Sequence, residues 1–286
     1  MPTILICPDR PGALPALAAA GPLVCAPLLG ESPLEYWLEH LALQGATHVH
    51  LLVSDRPEAV AAVAGEGARW GLRVAIDVLP EEISPANAAT RYGPGADVRR
   101  LDHLPGLPEF PLFTNYAAWF AALTAWLPRA RTPARIGVHE IAPGVWAGLH
   151  TYIAPGVKFQ GPVWIGAHAR IGAGASLGPH AVIEDRAWVD PGALVANSVV
   201  GPDTFVGGLC ELNESLASGN VLVNWRDGSR LEVSDSFLLC SLGPPPAAET
   251  APRAWKWKFP WTTPAVARPA LQAIPAIDRP PSIRIP

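Results

Sequence analysis

The stretch Val163-Trp164-Ile165-Gly166-Ala167-His168-Ala169-Arg170-Ile171-Gly172-Ala173-Gly174-Ala175-Ser176-Leu177-Gly178 decides the architecture. Ile165, Ile171 and Leu177 stand six apart, each followed by glycine. The same marker extends back through Phe159, Ile153, Ala147 and Ile141 and forward through Ile183, Val189 and Val195. Four places after each marker sits a small or β-branched residue: Val145, Thr151, Val157, Val163, Ala169, Ala175, Ala181, Ala187 and Ala193. The register then slips by one and resumes at Val200, Val206 and Leu212. A strand alternates with period two and a helix with period 3.6, so neither explains a sustained period of six. A narrow triangular prism does: each hexad is a short strand plus a turn, the marker fills the interior, and the glycine permits the corner.

This reading makes residues 136–216 a left-handed parallel β-helix of hexapeptide repeats. With three hexads per coil, residues eighteen apart share a column, neighbours lying ~4.8 Å apart as in any sheet. His150 then lies under His168 and Arg186, Trp146 under Trp164, and Tyr152 under Arg170 and Trp188. His180, twelve residues beyond His168, belongs to another face. Four aromatic rings (Trp146, Trp164, Tyr152 and Trp188) are expected to point outward, a surface that predicts a homo-oligomer.

Upstream, residues 1–132 alternate strands and helices. Thr3–Cys7, His48–Val53 and Leu72–Val78 read as strands. Ser32-Pro33-Leu34-Glu35 opens a helix with a capping box that Gly45 closes. Asp55-Arg56-Pro57-Glu58 repeats the opening signal for a helix to about Trp70. Residues 83–111 read as loop, and Tyr116–Trp126 as a buried helix. The βαβαβ order implies parallel strands with right-handed crossovers, a Rossmann-like half-sheet. Downstream, 217–243 is a strand-rich extension around Arg226-Asp227-Gly228-Ser229, and 244–286 is a Pro-rich tail holding Trp255-Lys256-Trp257-Lys258-Phe259-Pro260-Trp261.

Bulk properties narrow the function. Of 286 residues, 49% are hydrophobic and 16% charged, with net charge −4 and mean hydropathy +0.20. That describes a folded chain and argues against a broad nucleic-acid-binding face. No apolar run is long enough to span a bilayer, and Met1–Pro11 lacks the pattern of a signal peptide. Cys7, Cys25, Cys210 and Cys240 lie far apart in apolar surroundings, which points to reduced core thiols, a cytoplasmic location and no zinc.

Gly21-Pro22-Leu23-Val24-Cys25-Ala26-Pro27-Leu28-Leu29-Gly30, then Pro33-Leu34-Glu35-Tyr36-Trp37-Leu38-Glu39-His40-Leu41, resembles the sugar-phosphate nucleotidyltransferases that carry a C-terminal hexapeptide β-helix. The resemblance implies an α/β + β chain: a truncated Rossmann-like nucleotidyltransferase-type domain, a left-handed parallel β-helix and the Pro-rich tail. It also implies sugar-nucleotide or cell-envelope glycan metabolism. The family's loop uses backbone amides, one arginine and one lysine to neutralise departing pyrophosphate. Here that loop reads Pro8-Asp9-Arg10-Pro11-Gly12-Ala13-Leu14-Pro15, the cation positions fall on Ala13 and Leu23, and no residues can be matched to the family's metal-binding aspartates. Nucleotidyl transfer is therefore expected to be lost, and no magnesium site is expected.

Hexapeptide acyltransferases, which the repeat resembles, use one histidine as general base while acyl-CoA lies along a groove at a subunit boundary. An imidazole, with an ordinary pKa of ~6.5, can take a proton near neutrality. That resemblance makes His150 and His168 the catalytic candidates, with Trp146, Trp164 and Arg186 as substrate-binding candidates, and the oligomer a trimer. Sugar nucleotide or acyl-CoA is the implied small-molecule partner. Two readings stay open: an acyltransferase worked by the β-helix, or a non-catalytic scaffold or regulatory partner of an active nucleotidyltransferase.

Overall fold

In the computed structural model, residues 3–10, 12–93, 95–129 and 137–243 are described. The expectations for the Pro-rich tail and its Trp255–Trp261 motif lie outside them. The chain is mixed α/β, with an all-parallel sheet followed by long stacks of short, mainly parallel strands.

The first sheet contains β1 (Thr3–Ile6), β2 (His48–Val53), β3 (Arg73–Val78) and β4 (Asp97–Arg100), in the order β3-β2-β1-β4. Alternation along the strands divides its two faces. Leu5, Val49, Leu51 and Val53 enter the main core, while Ile4, Ile6 and Leu52 enter a smaller one with Leu79 and Ala88. The Pro33–Leu43 helix starts at the expected capping box: Ser32 Oγ accepts from the Glu35 amide, and the Glu35 carboxylate accepts from the Ser32 amide.

Two local expectations fail for physical reasons. Asp55 caps nothing; the helix runs Pro57–Ala64 from an Arg56 held at φ 41°, and Asp55 instead grips the Arg56 guanidinium at 2.8 Å. Residues 83–111 are not loop throughout. Ser84 caps a Pro85–Tyr92 helix by accepting from the Asn87 amide, and β4 follows to pair with β1.

From Val145 onward the chain winds into a three-sided parallel stack, β-helix-like in plan. Successive coils are eighteen residues apart, as in Val145↔Val163 and Tyr152↔Arg170, then seventeen, as in Ala181↔Ser198 and Leu194↔Glu211. The one-residue slip of the sequence is thus a shortened coil. Both repeat positions point inward: Ile165, Ile171, Leu177, Ile183, Val189 and Val195 are fully buried, as are Ala169, Ala175, Ala181, Ala187 and Ala193. Ile141 is an exception, partly exposed in an antiparallel strand, His139–Ala142, that precedes the first coil.

The glycines after the markers, Gly178 at φ 105° apart, do not make the corners. A Cβ on Gly172 would lie 2.4 Å from Pro191 N, and one on Gly148 2.7 Å from Ala167 N, so glycine there allows close approach between coils. The corners form two residues later, in left-handed columns. One column is His150, His168, Arg186 and Asp203; another is Gly156, Gly174, Gly192 and Leu209; a third includes His180, Asn197 and Glu214. Glycine, asparagine, aspartate and histidine tolerate this region better than most residues.

A layer of helices lies between the sheet and one face of the stack. Trp146, Trp164, Val182, Val199 and Leu216 point out of their coils into the same core as Leu38, Leu41 and Trp119. The extension closes this layer: Trp225 stacks on Phe120 at 4.5 Å and donates to the Asn197 carbonyl. No helix of the described residues is long and apolar enough to cross a membrane.

Candidate functional site

The corner column places the expected histidines together. His150 and His168 are both exposed, at φ 56° and 57°, with their rings stacked at 5.0 Å and 25° between planes. Parallel pairing eighteen residues apart fixes their spacing, and the left-handed corner turns both side chains off the interior. They form a ridge of imidazoles.

Two cavities lie near that ridge, and His150 lines the first of them. The first, a groove of about 510 Å³, is lined by His150, Tyr152, Arg170, Trp188 and Asp190 over a floor of Gly172 and Ala173. The second, of about 320 Å³, follows the seam with the helix layer, beside Leu149, Ala167, Trp164, Arg69 and Asp185. Both volumes lie in the range of small-molecule sites.

The other expected residues fall elsewhere. Trp146 and Trp164 share a column as expected, at 7% and 2% exposure, covered by the chain's own helices. The bare face of four aromatic rings is therefore not found; Tyr152 at 61% and Trp188 at 38% remain exposed. Trp164 reaches only the seam cavity. Arg186 continues the histidine column but is bound by Asp203 at 2.7 and 2.6 Å, and that hydrogen bonding raises its pKa. His180 stands in a different corner column.

Arg170 and Asp190 were not singled out by sequence, although the eighteen-residue column already set Arg170 between Tyr152 and Trp188. Arg170 lies 5.3 Å over the Trp188 ring and, among the described residues, makes no ion pair. Phe205, the next rung, meets Trp188 edge-on at 6.1 Å.

A second locality bears on the N-terminal layer. In open parallel sheets ligands favour the crevice at the carboxyl ends of the strands where strand order reverses, here between β1 and β4. The Glu82 carboxylate occupies it, accepting from the Asp9 amide at 3.0 Å and pairing with Arg100. Leu23, at the expected lysine position, is buried in the core, and Arg10 is exposed. Burial raises the Cys25 thiol to about 12 and pushes Cys7 up as well. Neither is a poised nucleophile.

Among the described residues no three His, Cys, Asp or Glu side chains gather to hold a metal. No protein-family profile and no curated protein matches the chain.

Proposed function

We propose that this chain is a transferase-type protein of sugar-nucleotide or envelope-glycan metabolism, in which the β-helix works and the N-terminal layer has stopped transferring nucleotidyl groups. In this reading the stack is a left-handed hexapeptide β-helix, and the His150/His168 ridge serves acyl transfer. One observation carries it: stacked, exposed imidazoles, of which His150 lines the larger of two neighbouring cavities. A transfer reaction has two substrates, and the second cavity begins at Leu149, the residue before His150.

The chemistry follows from an imidazole in that position. One ring nitrogen takes the proton of an acceptor hydroxyl as its oxygen attacks the thioester carbonyl of an acyl-CoA. The tetrahedral intermediate then breaks its C–S bond, and the imidazolium returns the proton to the leaving thiolate. His150, which lines the larger groove, is the primary base, and His168 stacked on it orients the ring.

Loss of nucleotidyl transfer is supported by Glu82. Its carboxylate already takes a loop amide and Arg100, groups that would otherwise meet phosphate. Burial of Trp146 and Trp164 against the helices favours a second reading, in which the N-terminal layer braces the β-helix and the chain acts as a scaffold.

A thermal-shift series with acetyl-CoA, UDP-sugars and nucleoside triphosphates plus Mg²⁺ tests the proposal. A ligand at 100 times its Kd adds ~2.7 kcal/mol to apparent stability. Stabilisation by acetyl-CoA and none by the triphosphates is the expected result. Pyrophosphate release dependent on a sugar phosphate would overturn the N-terminal half of the proposal, and indifference to acyl-CoA would leave the scaffold reading.

A further inference from the structure

We infer that the Tyr152/Arg170/Trp188 groove is a binding platform for a neutral linear glycan. Calling that glycan the acceptor rests on the function proposed above; the binding itself does not.

The groove's side chains are ordered by the coils. Tyr152, Arg170, Trp188 and Phe205 are successive rungs on one face. At ~4.8 Å per rung, Tyr152 and Trp188 stand roughly 10 Å apart, room for two linked hexopyranose rings. Phe205 buttresses the Trp188 ring edge-on, the Arg170 guanidinium lies over that ring, and Gly172 and Ala173 form a small-residue floor beside them.

The polar groups choose the ligand class. Arg170 is a donor only, and ionised Asp190 is an acceptor only. An apolar partner would desolvate both without compensation. A nucleotide or coenzyme phosphate would suit Arg170 but meet the charge of Asp190. A sugar hydroxyl donates and accepts, so one ring edge satisfies both residues while the C–H face of the pyranose lies on exposed aromatic carbon.

Isothermal titration of the full chain with cellohexaose and chitohexaose, with ADP as comparator, tests the inference. Saturable binding of at least one hexamer is expected, with ADP weaker. Trp188→Ala and Arg170→Gln should each weaken it by roughly tenfold or more, about 1.4 kcal/mol, and Trp188→Phe should restore part of the loss. Hexamer binding in a protein that shows no acyl transfer would keep the platform and remove the catalytic reading of the ridge. The inference is overturned by absence of hexamer binding at millimolar concentration or by binding indifferent to both variants. ADP binding more tightly through the same residues, or a homo-oligomer that Trp188→Ala dissociates, would overturn it too.

Discussion

Glu184 joins the two halves of the molecule, and its removal has a calculable consequence. Its side chain belongs to a coil of the stack and is 1% exposed. Its two oxygens accept from the Leu29 amide at 2.7 Å and the Gly30 amide at 2.8 Å. Those residues are the centre of a tight turn, both with positive φ, 56° and 78°. Leucine is strained there, and two amides point away from any backbone partner, so the carboxylate both satisfies and holds the turn. In Glu184→Ala, one fully buried donor is left unpaired at ~1–3 kcal/mol, while the partly buried Gly30 amide can reach water and costs less. A total of ~2–4 kcal/mol is expected, a large share of the ~5–15 kcal/mol of a typical domain. Urea unfolding should show a midpoint lower by roughly 1 M with an unchanged slope. Asp203→Asn is the comparison, since asparagine keeps the left-handed corner at φ 49° and the change breaks only an exposed ion pair with Arg186 worth at most ~1 kcal/mol. A midpoint for Glu184→Ala no lower than that of Asp203→Asn would refute the reasoning.

Three further outcomes follow from burial, spacing and charge. Trp164→Ala should cost ~3–5 kcal/mol by the same urea assay, because the ring is buried between layers, whereas exposed Trp188→Ala should cost ~1 kcal/mol or less; equal losses would contradict the assignment of inner and outer aromatics. Gly172→Ala places a Cβ against the backbone of Pro191 and should lose more than ~3 kcal/mol or fail to fold, while Gly174→Ala, at φ 70° with open space around it, should lose only ~1–2 kcal/mol; the reverse order in thermal melts would show the coil spacing to be wrong. Burial raises the Asp77 pKa, but hydrogen bonds from Tyr92 at 2.7 Å and His50 at 3.0 Å outweigh it and hold the carboxyl below its ordinary value. Its contribution is therefore complete above the usual carboxylate range and is lost as pH falls through and below it, so Asp77→Asn should flatten the acid limb of stability against pH; an unchanged limb would remove Asp77 from the account.

How much the sequence showed depended on the range of the interactions. The period of six, the slip after Val195 and the His150/His168 column were all legible, because every coil repeats one local geometry and columns follow from counting. The four-residue capping box at Ser32 was legible for the same reason. Asp55 was misread because a capping residue can serve a neighbouring guanidinium instead, and only the fold decides which. The Pro85–Tyr92 helix has a modest Ser-Pro start and a mostly polar face, so its apolar signal is weak. Trp146 and Trp164 were rightly placed outside the coils; what covers them includes helix residues such as Leu38 and Leu41, more than a hundred positions away. Glu184 occupies an outward hexad position like many others, and nothing local marks it as the partner of a turn at Leu29–Gly30. The groove was half visible: Tyr152, Arg170 and Trp188 appeared as a column, but the small-residue floor and Asp190 beside them required coordinates.

The central claim is that the imidazole ridge performs acyl transfer, and single substitutions along it test that most directly. Asparagine is the suitable replacement, because it tolerates the left-handed corners that His150, His168 and His180 all occupy. Turnover should be measured as thiol release from acetyl-CoA in the presence of the glycan acceptor, with thermal melts confirming that each variant folds. The account predicts that His150→Asn lowers kcat by ~10²-fold or more, the scale of losing a general base. His168→Asn should lower it less, and His180→Asn, on another corner, should change it little. Equal activity in all three variants would contradict the account and leave the ridge as an ordinary corner of the stack.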